Sequence, residues 1–350
     1  MREIFLSTIT TILIIFTNVS IAQESDTLFI AFWNLENLFD TANDLDKNDE
    51  QFLPSGDREW TDERFDIKLN HLARTIRSMN NSNGPDILGV CEIEHQSVID
   101  SMIVRYLHDK KFKAFAFESP DKRGIDNGLV YNTEKFNLLS VRADTVHLKD
   151  NWPTRPIVNV KLLYNQSDTL SVYLNHWPSR SGGSEKSEPN RISAATTIRN
   201  MVDEEFGKNP YAKIIVMGDF NDEPTNISVL EKLGANAFIC DSSALGGRIF
   251  PEKQLFNTSF QAYKDGLGTY KYKDDWNMLD QIIVSGSLIT GPGLYYLCNS
   301  FEVYKPYFIV THSGKYKGAP FPTYGGPRYL GGYSDHYPVT AKFIVEGIIK

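Results

Sequence analysis

The sequence predicts an α/β protein in which helices pack outside a β-sheet core. The main observation is an alternation along the chain. Short apolar runs typical of buried strands alternate with segments whose apolar residues recur every three or four positions, as in amphipathic helices. A second observation is that no repeat, low-complexity tract or change of composition divides residues 23–350. We therefore expect one domain over that range.

The helical segments are read from apolar spacing and end signals. In the first helix, apolar positions from Phe65 to Met79 fall at steps of three and four, and Thr61 before two acidic residues can cap the N-terminus. Further helices are predicted over residues 98–107 and 192–206. Asn226 is expected to cap a short helix that ends at Leu233.

The strands are read from apolar runs bounded by turn residues. These runs lie at residues 28–33, 87–91, 113–117, 128–131, 156–163, 170–175, 214–217, 279–284 and 337–345. The Gly-, Pro- and Tyr-rich residues 314–332 are expected to form a long surface loop.

The composition is that of an ordinary globular protein, with 41% hydrophobic and 23% charged residues. The net charge of -8 argues against a protein that holds nucleic acid mainly by charge. It does not exclude a nuclease, because a nuclease must turn over its substrate and does not need to hold nucleic acid tightly by charge. Of the three cysteines, Cys91 lies in a buried run, and Cys240 and Cys298 could form a disulfide. Their spacing is not that of a zinc site.

The N-terminus predicts a secretory signal peptide over residues 1–22. Arg2 precedes a short apolar stretch, and small residues end at Ala22. We expect cleavage there and export to the periplasm or the outside of the cell. The alternative is an N-terminal membrane anchor, for which the apolar stretch is short against the roughly 20 residues of a membrane span. After cleavage we expect no stable membrane insertion, and the sequence implies no protein partner.

Polar side chains of a selective kind lie at the ends of many predicted strands. They are Asn34, Glu36, Glu92, His176, Asp219, Asn221, Asp280, Asp335 and His336. Oxygen ligands with imidazoles and no cysteine are typical of Mg²⁺ or Mn²⁺ sites, with Ca²⁺ also possible, more than of zinc sites. They also suit phosphate-ester hydrolysis, in which a cation polarises the phosphoryl oxygen and His or Asp moves protons. Taken alone, a stretch such as GDFNDEP is equally typical of a polar turn.

Six segments, in order, resemble motifs of the endonuclease/exonuclease/phosphatase superfamily. This superfamily includes DNase I-like nucleases, apurinic endonucleases, sphingomyelinases and inositol-polyphosphate phosphatases. The segments are FWNLEN (32–37), DILGVCE (86–92), NHWPSRSGG (175–183), GDFND (218–222), LDQIIVS (279–285) and SDHYPV (334–339). The resemblance covers essentially the whole chain after residue 22. It implies a four-layer α/β sandwich, with two packed mixed β-sheets flanked by helices and the site at one end of the sheets.

The resemblance implies a metal centre and a general base. Glu92 would be the principal metal ligand, with Asn34 beside it, and Asp335 would contact the metal or a water molecule. His336 would act as the general base. Asp280 would orient its imidazole.

The resemblance also implies how the phosphate is handled. Asp219 would orient or deprotonate the attacking water, and Asn221 would hold the phosphate. His176 would contact the phosphoryl or leaving oxygen, as in DNase I-like nucleases and sphingomyelinases; apurinic endonucleases lack this histidine. Glu118 resembles the carboxylate that supports it.

Three arginines are candidates for substrate contacts. Arg155 would contact phosphate or, alternatively, a neighbouring carboxylate, whereas Arg180 and Arg191 are either phosphate contacts or solvated residues. We therefore expect an exported, Mg²⁺- or Mn²⁺-dependent phosphodiesterase that hydrolyses nucleic acid. A phospholipid or inositol-phosphate hydrolase of the same superfamily and, more remotely, a non-catalytic binding module stay open. Residues 233–276 and 297–334, where the superfamily varies, carry no clear motif.

Overall fold

The computed structural model describes residues 26–164, 168–240 and 252–345. The expected signal peptide over residues 1–22 lies outside these ranges. The helices described are α1 (Asp62–Ser82), α2 (Gln96–Tyr106), α3 (Ser184–Lys208), α4 (Phe260–Lys264) and α5 (Ser287–Thr290). None of these helices is long and apolar enough to cross a bilayer.

The strands of the same ranges are numbered in chain order. They are β1 (Asp26–Leu38), β2 (Ile87–Ile93), β3 (Phe112–Phe117), β4 (Asp126–Asn132), β5 (Phe136–Asp144), β6 (Ile157–Tyr164), β7 (Asp168–His176), β8 (Lys213–Asp219), β9 (Ala235–Ala237), β10 (Leu255–Asn257), β11 (Tyr270–Tyr272), β12 (Asp275–Asn277), β13 (Asp280–Ser285), β14 (Leu294–Tyr296), β15 (Glu302–Val303), β16 (Tyr324–Gly325), β17 (Arg328–Tyr329) and β18 (Val339–Val345).

Two mixed sheets of seven strands each organise the described part of the chain. The first has the order β14-β18-β1-β2-β4-β3, with β15 also paired to β18, and the second has the order β5-β6-β7-β8-β13-β10-β9. The pairs β1–β2, β7–β8 and β9–β10 are parallel, and the other pairs are antiparallel. The small pairs β11–β12 and β16–β17 lie outside both sheets.

The sheets pack face to face because their central strands are apolar on both sides. Along β1, Ile30 and Phe32 belong to the core between the sheets, whereas Ala31 and Trp33 belong to the core under α1 and α2. This alternation follows from the two-residue period of a strand. On the other side, α3 covers the second sheet with a third core. The layers are therefore helices, sheet, sheet and helix, and the predicted four-layer sandwich is confirmed.

Strand direction brings the predicted site together. The parallel strands β1 and β2 end at the same edge of the first sheet, as β7 and β8 do in the second. The antiparallel strands β13 and β18 begin where β8 and β1 end, so that Asp280 pairs with Asp219. Polar residues from six strands therefore meet at one end of the sandwich.

The local structure agrees with most of the predicted elements. Thr61 caps α1 by accepting a hydrogen bond from the Arg64 N–H (3.3 Å). The predicted helix after Asn226 is a short π-helical segment, Ser228–Lys232, and the Asn226 side chain accepts from the Glu223 N–H instead of capping it. Strand β5 was not predicted, because it is a largely exposed edge strand without an apolar run.

Two cysteines that the sequence left open are joined. Cys240 and Cys298 form a disulfide across a sequence separation of 58 residues, and Cys91 is a buried free thiol. The bond ties the chain after β9 to the chain after β14. Disulfides persist mainly in oxidising compartments.

Close contact between the sheets predicts a packing effect at Gly89 in β2. A Cβ atom there would lie 2.8–2.9 Å from side-chain atoms of Phe32, Leu174 and Met217. We expect Gly89→Ala to lower the free energy of unfolding by about 1–3 kcal/mol through overpacking. Urea denaturation measures this change. Gly207→Ala near the end of α3, where nothing lies within 4 Å, is the control and should be neutral or stabilising. Equal effects at the two positions would contradict the tight packing.

Candidate active site

The predicted site residues converge at one end of the sandwich, apart from Glu118, Arg155 and the candidate arginine Arg191. A cavity of about 700 Å³ opens there. It is lined by Glu92, His176, Asp219, Asn221, Asp335 and His336. Asn34 and Asp280 lie directly beneath, bonded to lining residues.

His336 is held by a carboxylate on each side. Its Nδ1 lies 2.7 Å from Oδ2 of the fully buried Asp280, and its Nε2 faces Oδ2 of Asp219 at 3.9 Å. Burial alone would lower the pKa of His336, but the charge of Asp280 and its hydrogen bond outweigh burial and raise that pKa well above the ordinary value. Asp280 thus fixes the ring with Nε2 directed at the cavity, which is the arrangement that the family resemblance implies.

Asp219 lies at the centre of the polar cluster. Its Oδ2 accepts a hydrogen bond from Asn34 Nδ2 (3.1 Å) and lies 3.8 Å from His176 Nε2. Its Oδ1 accepts from the Asn221 N–H (2.9 Å). Burial raises the pKa of Asp219, while the neighbouring His336 opposes this shift. One carboxylate therefore links strands from both sheets.

A second acidic group lies on the side of the first sheet. Burial together with the charges of Glu36 and Glu92 raises the pKa of Asp335 to about 7. Glu92 Oε2 accepts from the Asn37 N–H (3.0 Å), and Oε1 lies 3.7 Å from His176 Nε2. Asn34 hydrogen-bonds Asp219 rather than Glu92, although its backbone pairs with Cys91, the residue before Glu92. Crowded carboxylates of this kind favour a bound cation.

Glu36 and Lys68 also belong to this region. Glu36 was one of the polar strand-end residues but had no predicted role, and Lys68 was not predicted. Lys68 is 1% exposed and lies 3.7 Å from Glu36 Oε2. The N–H groups of Thr323 and Tyr324 donate to the same carboxylate (2.6 and 3.1 Å), which anchors the loop over residues 314–332. The sequence did carry a signal for Lys68, because a lysine there interrupts the apolar face of α1 between Phe65 and Leu72.

The backbone is bent where the site residues leave their strands. Glu36, Asn37, Glu92 and Asn221 have φ angles of 51°, 50°, 57° and 50°, a region that non-glycine residues rarely adopt. The register of β1 against β2 shifts between Asn34 and Leu38, and that of β2 against β4 shifts between Cys91 and Ile93. These bulges turn the side chains of Glu36 and Glu92 out of the regular strand alternation.

His176 is buried with its Nε2 near two carboxylates. Burial first, and then the positive charges of Arg155 and Arg123, hold its pKa well below the ordinary value, so it is neutral. The expected support from Glu118 is wrong in this structure. Glu118 Oε1 lies 3.0 Å from His95 Nδ1, because Glu118 follows the edge strand β3, while His176 Nδ1 has no hydrogen-bond partner among the described residues.

Arg155 does not line the cavity, which corrects its expected role in binding substrate. The side chain is buried, and its guanidinium donates to Asp121 Oδ2 and to the Trp177 carbonyl, both at 2.7 Å. The alternative expectation, a contact with a neighbouring carboxylate, is the one observed. Asn221 does line the cavity, and its amide also donates to the Trp177 carbonyl (3.0 Å).

The arginines that do line the cavity are Arg123 and Arg180. Arg180 donates to the Asn221 carbonyl (2.7 Å) and to Asn277 Oδ1 (2.8 Å). Arg191 is neither solvated nor in the cavity, since it is 1% exposed and paired with the buried Asp222 at 2.7 Å. Arg123 lies in the β3–β4 connection, where no strand-end pattern could indicate it.

The remaining rim combines β11 and β12, which carry no recognised motif, with the loop of the NHWPSRSGG segment. Tyr270 and Tyr272 on β11 and Asp275 and Asn277 on β12 line one side, and the loop Ser179–Ser184 lines another. The Tyr270 ring packs against the His336 ring with centroids 4.8 Å apart. Burial first, and then the charges of Asp335 and neighbouring carboxylates, raise the pKa of Tyr270 to about 12, so its hydroxyl stays protonated.

Comparisons with known proteins agree with this architecture. A family model described as the endonuclease/exonuclease/phosphatase family matches residues 29–344, while no curated protein sequence matches the chain. Similar solved structures include D. rerio TDP2 complexed with single-strand DNA product, which is 15% identical with a TM-score of 0.52 and coverage of 91% of this chain and 98% of that chain. The human nocturnin catalytic domain with bound sulfate is 16% identical, with a TM-score of 0.52 and coverage of 92% and 98%.

A third similar structure is a mannosyl-6-phosphatase from Bacteroides thetaiotaomicron. It is 16% identical, with a TM-score of 0.53 and coverage of 90% of this chain and 99% of that chain. At these identities the likeness establishes the fold. The predicted family resemblance is confirmed by the family model.

The pairing of His336 with Asp280 predicts a titration effect. Asp280→Asn removes a negative charge that raises the pKa of His336, so that pKa should fall and more of the imidazole should be neutral at a given pH. NMR titration of the His336 ring protons in metal-free protein measures the change. Asp275→Asn alters a cavity carboxylate that is not among the groups raising this pKa, and it is the control. An unchanged His336 midpoint in Asp280→Asn would contradict the assigned pairing.

Proposed function

The chain belongs to the endonuclease/exonuclease/phosphatase family, whose members hydrolyse phosphate esters, and on that premise we propose that it is a divalent-metal-dependent phosphodiesterase acting on nucleic acid. One observation carries the proposal. His336 is fixed by Asp280 with Nε2 directed at Asp219, in a cavity that also holds the crowded carboxylates of Glu92 and Asp335. A proton acceptor and a cation-binding group therefore face the same space.

The residues present fit a divalent cation of the Mg²⁺ or Mn²⁺ type, with Ca²⁺ also compatible. Glu92 and Asp335 would hold it with Asn34 beside them, because the pKa of about 7 at Asp335 reflects burial and negative charge that a cation would relieve. Asp219, Asp280 and His336 also lie close together, but Nδ1 of His336 is already engaged with Asp280. When bound, the cation supplies Lewis-acid polarisation of a phosphoryl oxygen.

The other proposed roles of the site residues are proton transfer and phosphate binding. Asp219 orients the attacking water, and His336 Nε2 accepts its proton. Because like charges repel, positive charge beside Asp335 lowers the pKa of His336 and frees Nε2 for this role. The neutral His176 and the amide of Asn221 donate hydrogen bonds to phosphate oxygens, where negative charge develops.

The rim supports nucleic acid as the substrate class. Tyr272 is 57% exposed at the cavity, and its ring offers a face on which a base can stack. Arg123 and Arg180 supply positive charge for flanking phosphates in an otherwise acidic protein. The similar D. rerio TDP2 structure with single-strand DNA product supports the same class.

A phosphomonoesterase acting on a sugar phosphate is the second candidate. The observation that favours it is a set of polar side chains at the cavity, Asp275, Asn277 and Ser179, which can bond sugar hydroxyls. The similar mannosyl-6-phosphatase structure points the same way. We also propose export after removal of residues 1–22, which the Cys240–Cys298 disulfide supports.

Hydrolysis assays test the proposed function. We expect the protein to cleave single-stranded or plasmid DNA with Mg²⁺ or Mn²⁺ and to lose this activity in EDTA. His336→Ala should lower kcat by about 100- to 10,000-fold, because the proton acceptor is lost. His312→Ala, an exposed histidine outside the cavity, is the matched control and should leave kcat unchanged.

The same assay separates the candidates. DNA left intact at high enzyme concentration with every cation, while mannose 6-phosphate is hydrolysed, would replace the nuclease proposal with the phosphomonoesterase. Full activity in His336→Ala would overturn the assignment of the proton acceptor.

A further inference from the structure

A second group of metal-binding side chains lies outside the proposed catalytic centre. His95, Glu118 and Asp126, which we call the His95 cluster, each offer one ligand atom, and these atoms lie within 4.8 Å of one another. His95 follows β2, Glu118 follows β3 and Asp126 begins β4. These strands are neighbours in the first sheet, so the sheet itself fixes the three positions.

The carboxylate of Asp126 indicates that the cluster receives a ligand. Asp126 is 1% exposed, and its Oδ1 accepts the Ser119 N–H (2.7 Å). Its Oδ2 is buried and has no hydrogen-bond partner in the described ranges. An unpaired carboxylate oxygen in such a place is costly, and buried polar atoms in folded proteins are rarely left so. The nearby cation Lys47 donates instead to the Ser119 and Asp121 carbonyls.

His95 and Glu118, which are more exposed than Asp126, also present atoms that can bind a metal ion. Nδ1 of His95 and Oε1 of Glu118 are 3.0 Å apart, which is about the separation of adjacent ligand atoms bound roughly 2.1 Å from one cation. His95 Nε2 faces Asp44 Oδ2 at 3.8 Å. Metal-bound imidazoles commonly direct their second nitrogen at a carboxylate in this way.

We propose that His95, Glu118 and Asp126 form a second divalent-cation site, separate from the centre at Glu92 and Asp335. One imidazole nitrogen with two carboxylates is a donor set that favours Mn²⁺ or Zn²⁺ over Mg²⁺. The site would clamp the β3–β4 connection at both ends. That connection carries Arg123, so a metal ion bound at the His95 cluster would hold the cavity-lining guanidinium of Arg123 in place. This proposal does not depend on the substrate or on hydrolysis.

The competing arrangement is an ion-pair group without a metal. A protonated His95 between Glu118 and Asp44 would satisfy the same distances. It would leave Asp126 Oδ2 without a partner. The two arrangements differ in whether the protein binds a cation at the His95 cluster with the first centre removed.

Mn²⁺ titration of the full chain carrying Glu92→Gln and Asp335→Asn distinguishes the two arrangements. Electron paramagnetic resonance of free Mn²⁺ should show one bound ion per chain. Adding His95→Ala should weaken this binding by about tenfold or more, because a direct ligand is lost. Adding His108→Ala, which removes an exposed histidine beyond α2, should change nothing.

A second variant tests whether the loss of Mn²⁺ binding could result from misfolding. Glu118→Gln replaces a side chain that is 59% exposed, and circular dichroism should show an unchanged fold with the same loss of Mn²⁺ binding. Saturable binding absent up to about 1 mM Mn²⁺ would overturn the proposal, since even weak extracellular cation sites saturate near that concentration. Binding that persists in both His95→Ala and Glu118→Gln would also overturn it.

Discussion

A single carboxylate oxygen, Oδ2 of Asp219, is the point on which the arrangement of the site depends. It accepts a hydrogen bond from Asn34 on the first sheet and faces Nε2 of both His176 and His336. These partners come from different strands, so the oxygen can have all of them only if both sheets keep their register and spacing. The interior between the sheets enforces that spacing, as the close contacts around Gly89 show. The packing between the two sheets therefore also fixes the geometry of the site.

The carboxylates of the site form two groups that are paired with different positive side chains. Asp219 and Asp280 are compensated by the imidazole of His336, which lies between them. Glu36, Glu92 and Asp335 have Lys68 as their buried cation, and burial together with the charges of Glu36 and Glu92 still raises the pKa of Asp335 to about 7. These charges are the physical reason for proposing a cation at Glu92 and Asp335 and for assigning water and protons to the side of Asp219 and His336.

The sequence could single out polar residues at strand ends, because a carboxylate, amide or imidazole beside a buried apolar run is a local pattern. Asp219 follows such a run, whereas Asp280 and His336 precede one, and their roles came from the family resemblance. Roles that depend on long-range contacts were not predictable. Arg155 was a predicted substrate contact and Arg123 was not, yet a buried pairing with Asp121 keeps Arg155 out of the cavity, while Arg123 lines it. The rim tyrosines Tyr270 and Tyr272 both lie in one short strand, β11, which no periodicity marks.

The most direct test of this account is the position of bound Mn²⁺ at the catalytic centre, read from anomalous scattering in a crystal of the protein. We expect a peak in contact with the carboxylates of Glu92 and Asp335, with the His336–Asp280 hydrogen bond intact. A catalytic ion coordinated instead by His336 Nδ1 and Asp280 would contradict it, because the imidazole could then no longer be held as the proton acceptor.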